Sequence, residues 1–349
     1  MAGGLGSRFW PKSREDLPKQ FIDILGTGES LLQQTAKRFD GICLKENMFV
    51  LTNEKYLNLV QAQLPEIPQE NLLLEPSRNN TAPCIAYACY KIFSINPEAN
   101  IVVSPSDQLI LKEGEFKTKI NLAVSFAANN NALITLGITP TRPDTGYGYI
   151  QYDLTTSDIC KVNQFLEKPA FEKAQLYLSS GEYLWNAGIF IWNVKSILKS
   201  LENLAPEVAI IFKQGLPIYG TENEADFIKE HYPKSPNISI DYAIMEKASN
   251  VYTIPASIGW SDLGTWASLF EVMPKDEQSN ATNCDSTILL DTQNSMVHLP
   301  KGKVALIKGL SDYIVVDDGK VLMIVPKSDE QSIKQWSKQI SDNFGKEYC

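Results

Sequence analysis

Short runs of β-branched and aromatic residues alternate along the chain with stretches whose apolar positions recur every three or four residues. The runs predict strands: MFVLT at 48–52, NIVVS at 100–104, ALITLGI at 132–138, VNQFLEK at 162–168 and GIFIWN at 188–193. Between them Leu31, Leu32, Thr35, Ala36 and Phe39 mark one helical stripe, and Ile85, Ala88, Cys89 and Ile92 another. Strand and helix in alternation imply an α/β fold: a mostly parallel sheet covered on both faces, binding ligands at the carboxyl ends of its strands. After about residue 270 the texture changes. EVMPKDEQSNATNCDS is polar and poor in helix signals, and STILLD, SMVHL, KVALIK, YIVVDD and VLMIV follow as short strands. A terminal helix is predicted from about Glu330, carrying Ile333, Trp336 and Ile340. The pattern divides into a large domain over 1–270 and a small β domain over 284–349.

Length agrees with that division, because 349 residues exceed the size at which one core usually keeps growing. No apolar run approaches the roughly 20 residues of a bilayer span, and no basic start leads into an apolar stretch, so membrane association is not expected and the cytoplasm is the default. The six cysteines show no CxxC spacing and read as reduced thiols. The two histidines, His231 and His298, have no metal-ligand neighbour at helical spacing, which argues against a zinc enzyme or a His-centred hydrolase. A net charge of -9 argues against nucleic acid as a partner.

Against that acidic background the first 21 residues, MAGGLGSRFWPKSREDLPKQF, are locally basic: Arg8, Lys12, Arg14 and Lys19 face only Glu15 and Asp16. Gly3, Gly4 and Gly6 let the backbone approach a ligand closely, and consecutive backbone N–H groups in such a loop can cradle an anion. On composition alone the stretch reads as an ordinary turn or as a phosphate loop. Its full pattern, from Ala2 to Phe21, resembles the signature loop of the sugar-nucleotide pyrophosphorylases, which run GGxGxR with a lysine about ten residues later. The ending PKQF, with FWPKSR before it, is the form found in mannose-1-phosphate guanylyltransferases.

Other motifs carry the same resemblance. In VVSPSDQLI, Asp107 follows a buried strand; alone it could cap a turn, whereas the family has PSDHxI with this aspartate on Mg²⁺. Gln108 stands here for the family histidine. GWSDLGTW offers Asp262, a turn residue by itself and the second Mg²⁺ ligand by resemblance, and Mg²⁺ is commonly held by one or two carboxylates plus substrate phosphates. FLEKP supplies Glu167 and Lys168, either a surface ion pair or the family's sugar and phosphate contacts; WNAG supplies Asn186, which in the family bonds sugar hydroxyls. Gly146, Tyr147 and Gly148 form either a plain hairpin turn or a seat for a hexose. EPSRNNTAPCIAY resembles the family's EPxxRNTAPAI, from which Asn80 and Thr81 are carried over to the nucleotide; it departs by one position, with Asn79 where the arginine is usual and Arg78 before it. SIDYAIMEK also matches, so Asp241 and Glu246 either lie on a helix surface or line the sugar pocket.

The resemblance implies a Rossmann-like nucleotidyltransferase domain with a short left-handed β-helix after it. It further implies transfer of GMP from GTP to mannose 1-phosphate with Mg²⁺, giving GDP-mannose and pyrophosphate. Arg8 and Lys19 would hold phosphates, Ala2, Gly3, Gly4 and Gly6 would lie on the nucleotide, and Asp107 and Asp262 would bear the metal. A homodimer is one assembly open to such a chain. Two other readings stay open: a related nucleotidyltransferase with another base or hexose, and a catalytically silent subunit that senses a sugar nucleotide. A fused cupin-type phosphomannose isomerase does not fit, since too little chain follows residue 284 and its histidines are absent.

Phosphate loops of this kind follow a buried strand, and none precedes Ala2 in the sequence, so the chain is expected to begin several residues late. Restoring an upstream apolar segment is expected to raise stability and activity. Thermal melts and assays of the two lengths compare them, and equal values would refute this expectation.

Overall fold

The computed structural model describes residues 1–349. No helix is long and apolar enough to cross a membrane. The chain forms two compact units, each drawn from separated stretches: the first from Met1–Gly3, Arg38–Pro105 and Ile110–Trp260, the second from Gly4–Lys37, Ser106–Leu109 and Ser261–Cys349.

The first unit is built on strands β1 (Val50–Asn53), β2 (Leu72–Glu75), β3 (Asn100–Val103), β4 (Leu133–Ile138), β5 (Tyr149–Tyr152), β6 (Cys160–Leu166), β7 (Tyr183–Asn193) and β8 (Val251–Pro255). β1 and β2 form a parallel pair, and Ala2 lies beside them: its N–H donates to the Leu51 carbonyl at 2.7 Å, and its own carbonyl accepts from Thr52 Oγ1 at 3.0 Å. The other six strands make one sheet in the order β3-β7-β4-β8-β6-β5. Within it only β4 and β8 pair in parallel, while β7 runs antiparallel to both β3 and β4. The expected mostly parallel sheet is therefore a mixed one. A strand buried on both faces reads as the same continuous apolar run in either direction, so the pattern of β7 carried no sign of its polarity.

Alternation along these strands sorts side chains between two cores. Leu133, Phe190 and Trp192 face helices α1 (Thr81–Ile95), α3 (Val194–Leu204) and α4 (Pro206–Lys213), whereas Ile134, Leu136, Ile189 and Ile191 face α2 (Glu113–Asn129). On α2 the buried residues Phe116, Ile120, Ala123 and Ala127 recur at helical spacing, and full burial of Phe116 or Ile120 contributes about 1.5–3 kcal/mol. Asn193 ends β7 and caps α3, its side chain accepting from Lys195 N, so one residue fixes both boundaries.

In the second unit, β9 (Ala281–Thr282), β11 (Met296–His298) and β13 (Tyr313–Asp317) stack in parallel, and β10 (Thr287–Leu290) pairs in parallel with β12 (Ala305–Lys308). Side chains bridge equivalent places 18 residues apart, as in Tyr313 N to Ser295 Oγ. An antiparallel strand, β14 (Leu322–Pro326), closes the stack, and helix α5 (Ile333–Phe344) begins three residues later than expected because a 3₁₀ turn, Lys327–Ser332, precedes it. The core joins Met296, Ile314, Val316, Met323 and Ile333 to Phe9, Trp10, Ile24, Leu31, Trp266 and Leu269. The amino-terminal loop is thus packed into the same core as the C-terminal strands. Trp266 Nε1 donates to the Trp10 carbonyl at 3.0 Å, and Trp10 Nε1 donates to the Tyr348 carbonyl at 2.7 Å, so the buried indoles are satisfied in series. His298 is buried here, and burial pushes its imidazole down to about 4. All six cysteines are free thiols.

Gly137, beside the irregularity in the β4–β7 pairing, has no room for a side chain: a Cβ would lie 2.5 Å from Leu184 Cδ1 and 2.7 Å from Thr253 Oγ1. Gly137→Ala is expected to destabilise the protein by about 1–3 kcal/mol. A lowered denaturant midpoint at unchanged slope checks this, and an unshifted midpoint would contradict it.

Candidate functional site

Lys19 is a nearly buried cation of the second unit. Its side chain is only 4% exposed, and its ammonium reaches Asp107 Oδ2 at 3.0 Å, the Asp262 carbonyl at 3.0 Å and the Leu263 carbonyl at 2.8 Å. An ammonium has three protons and no acceptor, so these partners use it fully. Three sequence-predicted residues, Lys19, Asp107 and Asp262, are thereby brought together from three separated stretches.

The local backbone explains how. Gly6 has φ 59°, and a Cβ there would stand 2.6 Å from Lys19 Cβ and 2.9 Å from Ser13 Oγ. The loop can fold over the lysine stem only with glycine at this position. Ser13 Oγ donates to the Leu5 carbonyl and Gln20 Nε2 to the Gly4 carbonyl, fixing the loop from within. On the other side Leu263 takes φ 44°, which turns its carbonyl toward Lys19, and Thr265 caps the following helix in a capping box with Ser268. Asp262 Oδ1 accepts from Gly264 N at 3.1 Å, and a Cβ on Gly264 would meet Asp262 Oδ2 at 2.4 Å. Arg8 is exposed on the same loop, and its charge acts on Glu330.

Metal fit follows from the donors. The Asp107 side chain is 36% exposed and gives Oδ2 to Lys19; its Oδ2 lies 4.0 Å from where a Gly4 Cβ would be, so the Gly4 backbone is close by. No group of three or more His, Cys, Asp or Glu side chains gathers to cage an ion. Asp107 and Asp262 offer oxygen donors only, the ligand type Mg²⁺ takes alongside water and phosphate, with the Asp262 carboxylate accepting from Gly264 N.

The first unit holds the remaining predicted residues. Gly148, Glu167 and Asn186 meet: a Cβ on Gly148 would lie 2.6 Å from Glu167 Oε2 and 3.5 Å from Asn186 Cβ, and Asn186 N donates to the Gly148 carbonyl at 2.8 Å. Glu167 pairs with Lys168, whose backbone is left-handed at φ 46°, and Glu167 N donates to Glu246 Oε1. Tyr147 stands edge-on to Trp185 and Trp260, its hydroxyl accepting from Arg142 Nη2 at 3.2 Å, while Gly146 N donates to Asp144 Oδ1. Asn80 sits at the start of α1 with φ 68° and ψ -167°, a region costly for any side chain, and its Oδ1 accepts from Thr81 N. Thr81 Oγ1 accepts from Ile240 N at 2.9 Å. Asn79, the departure from the family form, donates to the Tyr232 and Ser235 carbonyls and to Ser235 Oγ, while Arg78 reaches Tyr56 OH.

Sequence reasoning missed Glu75 and Thr135 and left Asp241 undecided. Glu75 is buried at the end of β2, bonded by Tyr232 OH, with a Gly3 Cβ position 3.1 Å from its Oε2; burial raises its carboxyl above the usual range. An acid terminating the apolar run LLLE was the available signal. Burial first, and then the Glu167 charge, push Asp241 up to about 6.

This chain belongs to the nucleotidyl transferase family, whose pattern matches residues 1–279. Among curated proteins it is 34% identical to a mannose-1-phosphate guanylyltransferase of Klebsiella pneumoniae over 100% of this chain and 74% of that enzyme, and 34% identical, with the same coverage, to the one of Escherichia coli. Among solved structures it resembles one described as a "mannose-1-phosphate geranyltransferase" of Thermus thermophilus, with a TM-score of 0.88, 27% identity and 98% of both chains covered.

A methyl group at position 6 would press on the lysine stem and adopt an unfavourable φ. Gly6→Ala is therefore expected to cost about 1–2 kcal/mol or more and to lower the melting temperature. Thermal melts check it; an unchanged melting temperature would show that the loop tolerates a side chain there.

Proposed function

We propose that the chain transfers GMP from GTP to mannose 1-phosphate, forming GDP-mannose and pyrophosphate. The observation that carries this reading is the convergence of Asp107 and the Asp262 turn on the Lys19 ammonium, in a chain that aligns over its whole length with enzymes named for this reaction.

The reaction joins two anions. An oxygen of the sugar phosphate attacks the α-phosphorus of GTP, a new P–O bond forms, and the bond to the departing pyrophosphate breaks. Such transfers depend on positioning and charge neutralisation, so no protein nucleophile is required. From the second unit, Arg8 offers an exposed charge to the triphosphate, Lys19 fixes the carboxylate of Asp107 and the 262–263 backbone, and Gly4 and Gly6 are assigned to the nucleotide. Asp107 and Asp262 would hold Mg²⁺, which when bound supplies positive charge to the phosphates. From the first unit, Ala2, Gly3, Asn80 and Thr81 are assigned to the nucleotide, and Gly146, Tyr147, Gly148, Glu167, Lys168 and Asn186 to the hexose and its phosphate. We also read the stacked C-terminal strands as a left-handed β-helix, a reading supported by their 18-residue repeat.

Incubation with Mg²⁺, GTP and mannose 1-phosphate is expected to release pyrophosphate and yield GDP-mannose. Asp107→Asn and Lys19→Ala are each expected to slow turnover at least about tenfold, or about 1.4 kcal/mol in barrier. Near-wild-type rates in both variants, or no product from the wild type, would overturn the proposal.

A further inference from the structure

The amide of Asn186 is held in one orientation by partners that cannot exchange roles. Its Oδ1 accepts from Gly188 N at 3.1 Å and from Thr135 Oγ1 at 2.8 Å, and its Nδ2 donates to Asp241 Oδ1 at 3.0 Å. A backbone N–H can only donate and an ionised carboxylate can only accept, so the two ends of the amide are assigned without ambiguity. Both supports lie in regular structure. Thr135 is fully buried in the middle of β4, opposite β7, which carries Asn186 and Gly188; Asp241 opens a tight π-helical turn, Asp241–Met245, whose Ala243, Ile244 and Met245 are buried.

We propose that Asp241 is a positioning residue that fixes the Asn186 amide and thereby sets which hexose hydroxyl this site recognises. The inference rests on the reading of the reaction as transfer to a hexose 1-phosphate. With Oδ1 committed to two donors and one N–H committed to Asp241, Asn186 offers a ligand a single N–H, which suits a hydroxyl oxygen as acceptor. The acids beside it, Asp241 and Glu167, suit the proton of the same or the neighbouring hydroxyl. A polyol with a defined arrangement of adjacent hydroxyls satisfies this donor and acceptor pattern; a deoxy position does not, and leaves a half-buried polar group without a partner. The charged groups that face Asp241 are Glu167 and Lys168 from the end of β6, with opposite effects, and the elevated proton affinity of Asp241 agrees with a carboxylate set deep beside another acid.

The test is a cycle between enzyme and substrate. Wild type and Asp241→Asn are assayed at saturating GTP with mannose 1-phosphate and with each of its single-deoxy forms. In wild type, one deoxy form should lose about tenfold or more in kcat/KM, and that penalty should shrink to about threefold or less in Asp241→Asn, because an asparagine at 241 can donate as well as accept and no longer dictates the amide. The loss on mannose 1-phosphate itself should fall on its KM, with the KM for GTP unchanged. Thr135→Val, which removes the donor on the other side of the amide, should move the same deoxy penalty. Turnover in wild type with identical deoxy penalties in all three proteins would overturn the role of Asp241 alone. No turnover with any hexose 1-phosphate would overturn the reaction on which it rests.

Discussion

One ammonium group ties together three stretches of chain that lie far apart in sequence. Lys19 gives its three protons to Asp107, to the Asp262 carbonyl and to the Leu263 carbonyl, and it does so almost out of contact with solvent. A buried cation is tolerated only when its charge is met and its donors are used, and here one carboxylate and two carbonyl dipoles do both. The consequence runs outward. Gly6 lacks a side chain because the lysine stem occupies that space, Leu263 takes a left-handed backbone because its carbonyl must face the ammonium, and Gly264 lacks a side chain because Asp262 fills its place. Phe9 and Trp266 then seal the apolar side, with ring centroids 5.0 Å apart.

The same logic of over-determination recurs in the first unit. Non-glycine residues with positive φ are uncommon, yet Asn80 and Lys168 both have it, each within a motif that resembles part of the family site. Neither strained residue stands unsupported. Asn80 caps a long buried helix, and Lys168 follows β6 and pairs with Glu167. Asn186 lies within the 11-residue strand β7 rather than on a loop, which limits its motion to what the sheet allows.

Much of this was legible in the sequence. Five of the eight strands of the first unit, β1, β3, β4, β6 and β7, and the helix carrying Ile85 and Cys89 followed from periodicity, because apolar alternation and helical spacing are direct consequences of which faces are buried; β2, β5 and β8 are too short or too mixed in pattern to have stood out. The glycine loop, Asp107, Asp262 and the EKP and WNAG elements followed from contiguous motifs. What escaped was information that sequence order does not hold. β7 runs against its neighbours, yet its apolar run looks like that of a parallel strand. The first turn of the chain packs with the last strands through Phe9 and Trp10, a long-range choice that no local pattern encodes. Glu75 and Thr135 looked like ordinary strand residues, and Asp241 could be placed either on a helix surface or in a pocket, until the fold set them beside Tyr232 and Asn186.

If the lysine ammonium is what holds the carboxylate of Asp107 and the 262–263 turn in register, removing the charge while keeping the aliphatic stem should loosen those distant segments. Hydrogen exchange on Lys19→Met, followed by peptide mass spectrometry, reads this directly. Faster exchange confined to the stretches around residues 106–109 and 261–265, with the first unit's sheet unaltered, is the expected result. Protection at both stretches equal to that of the unmodified protein would contradict the account.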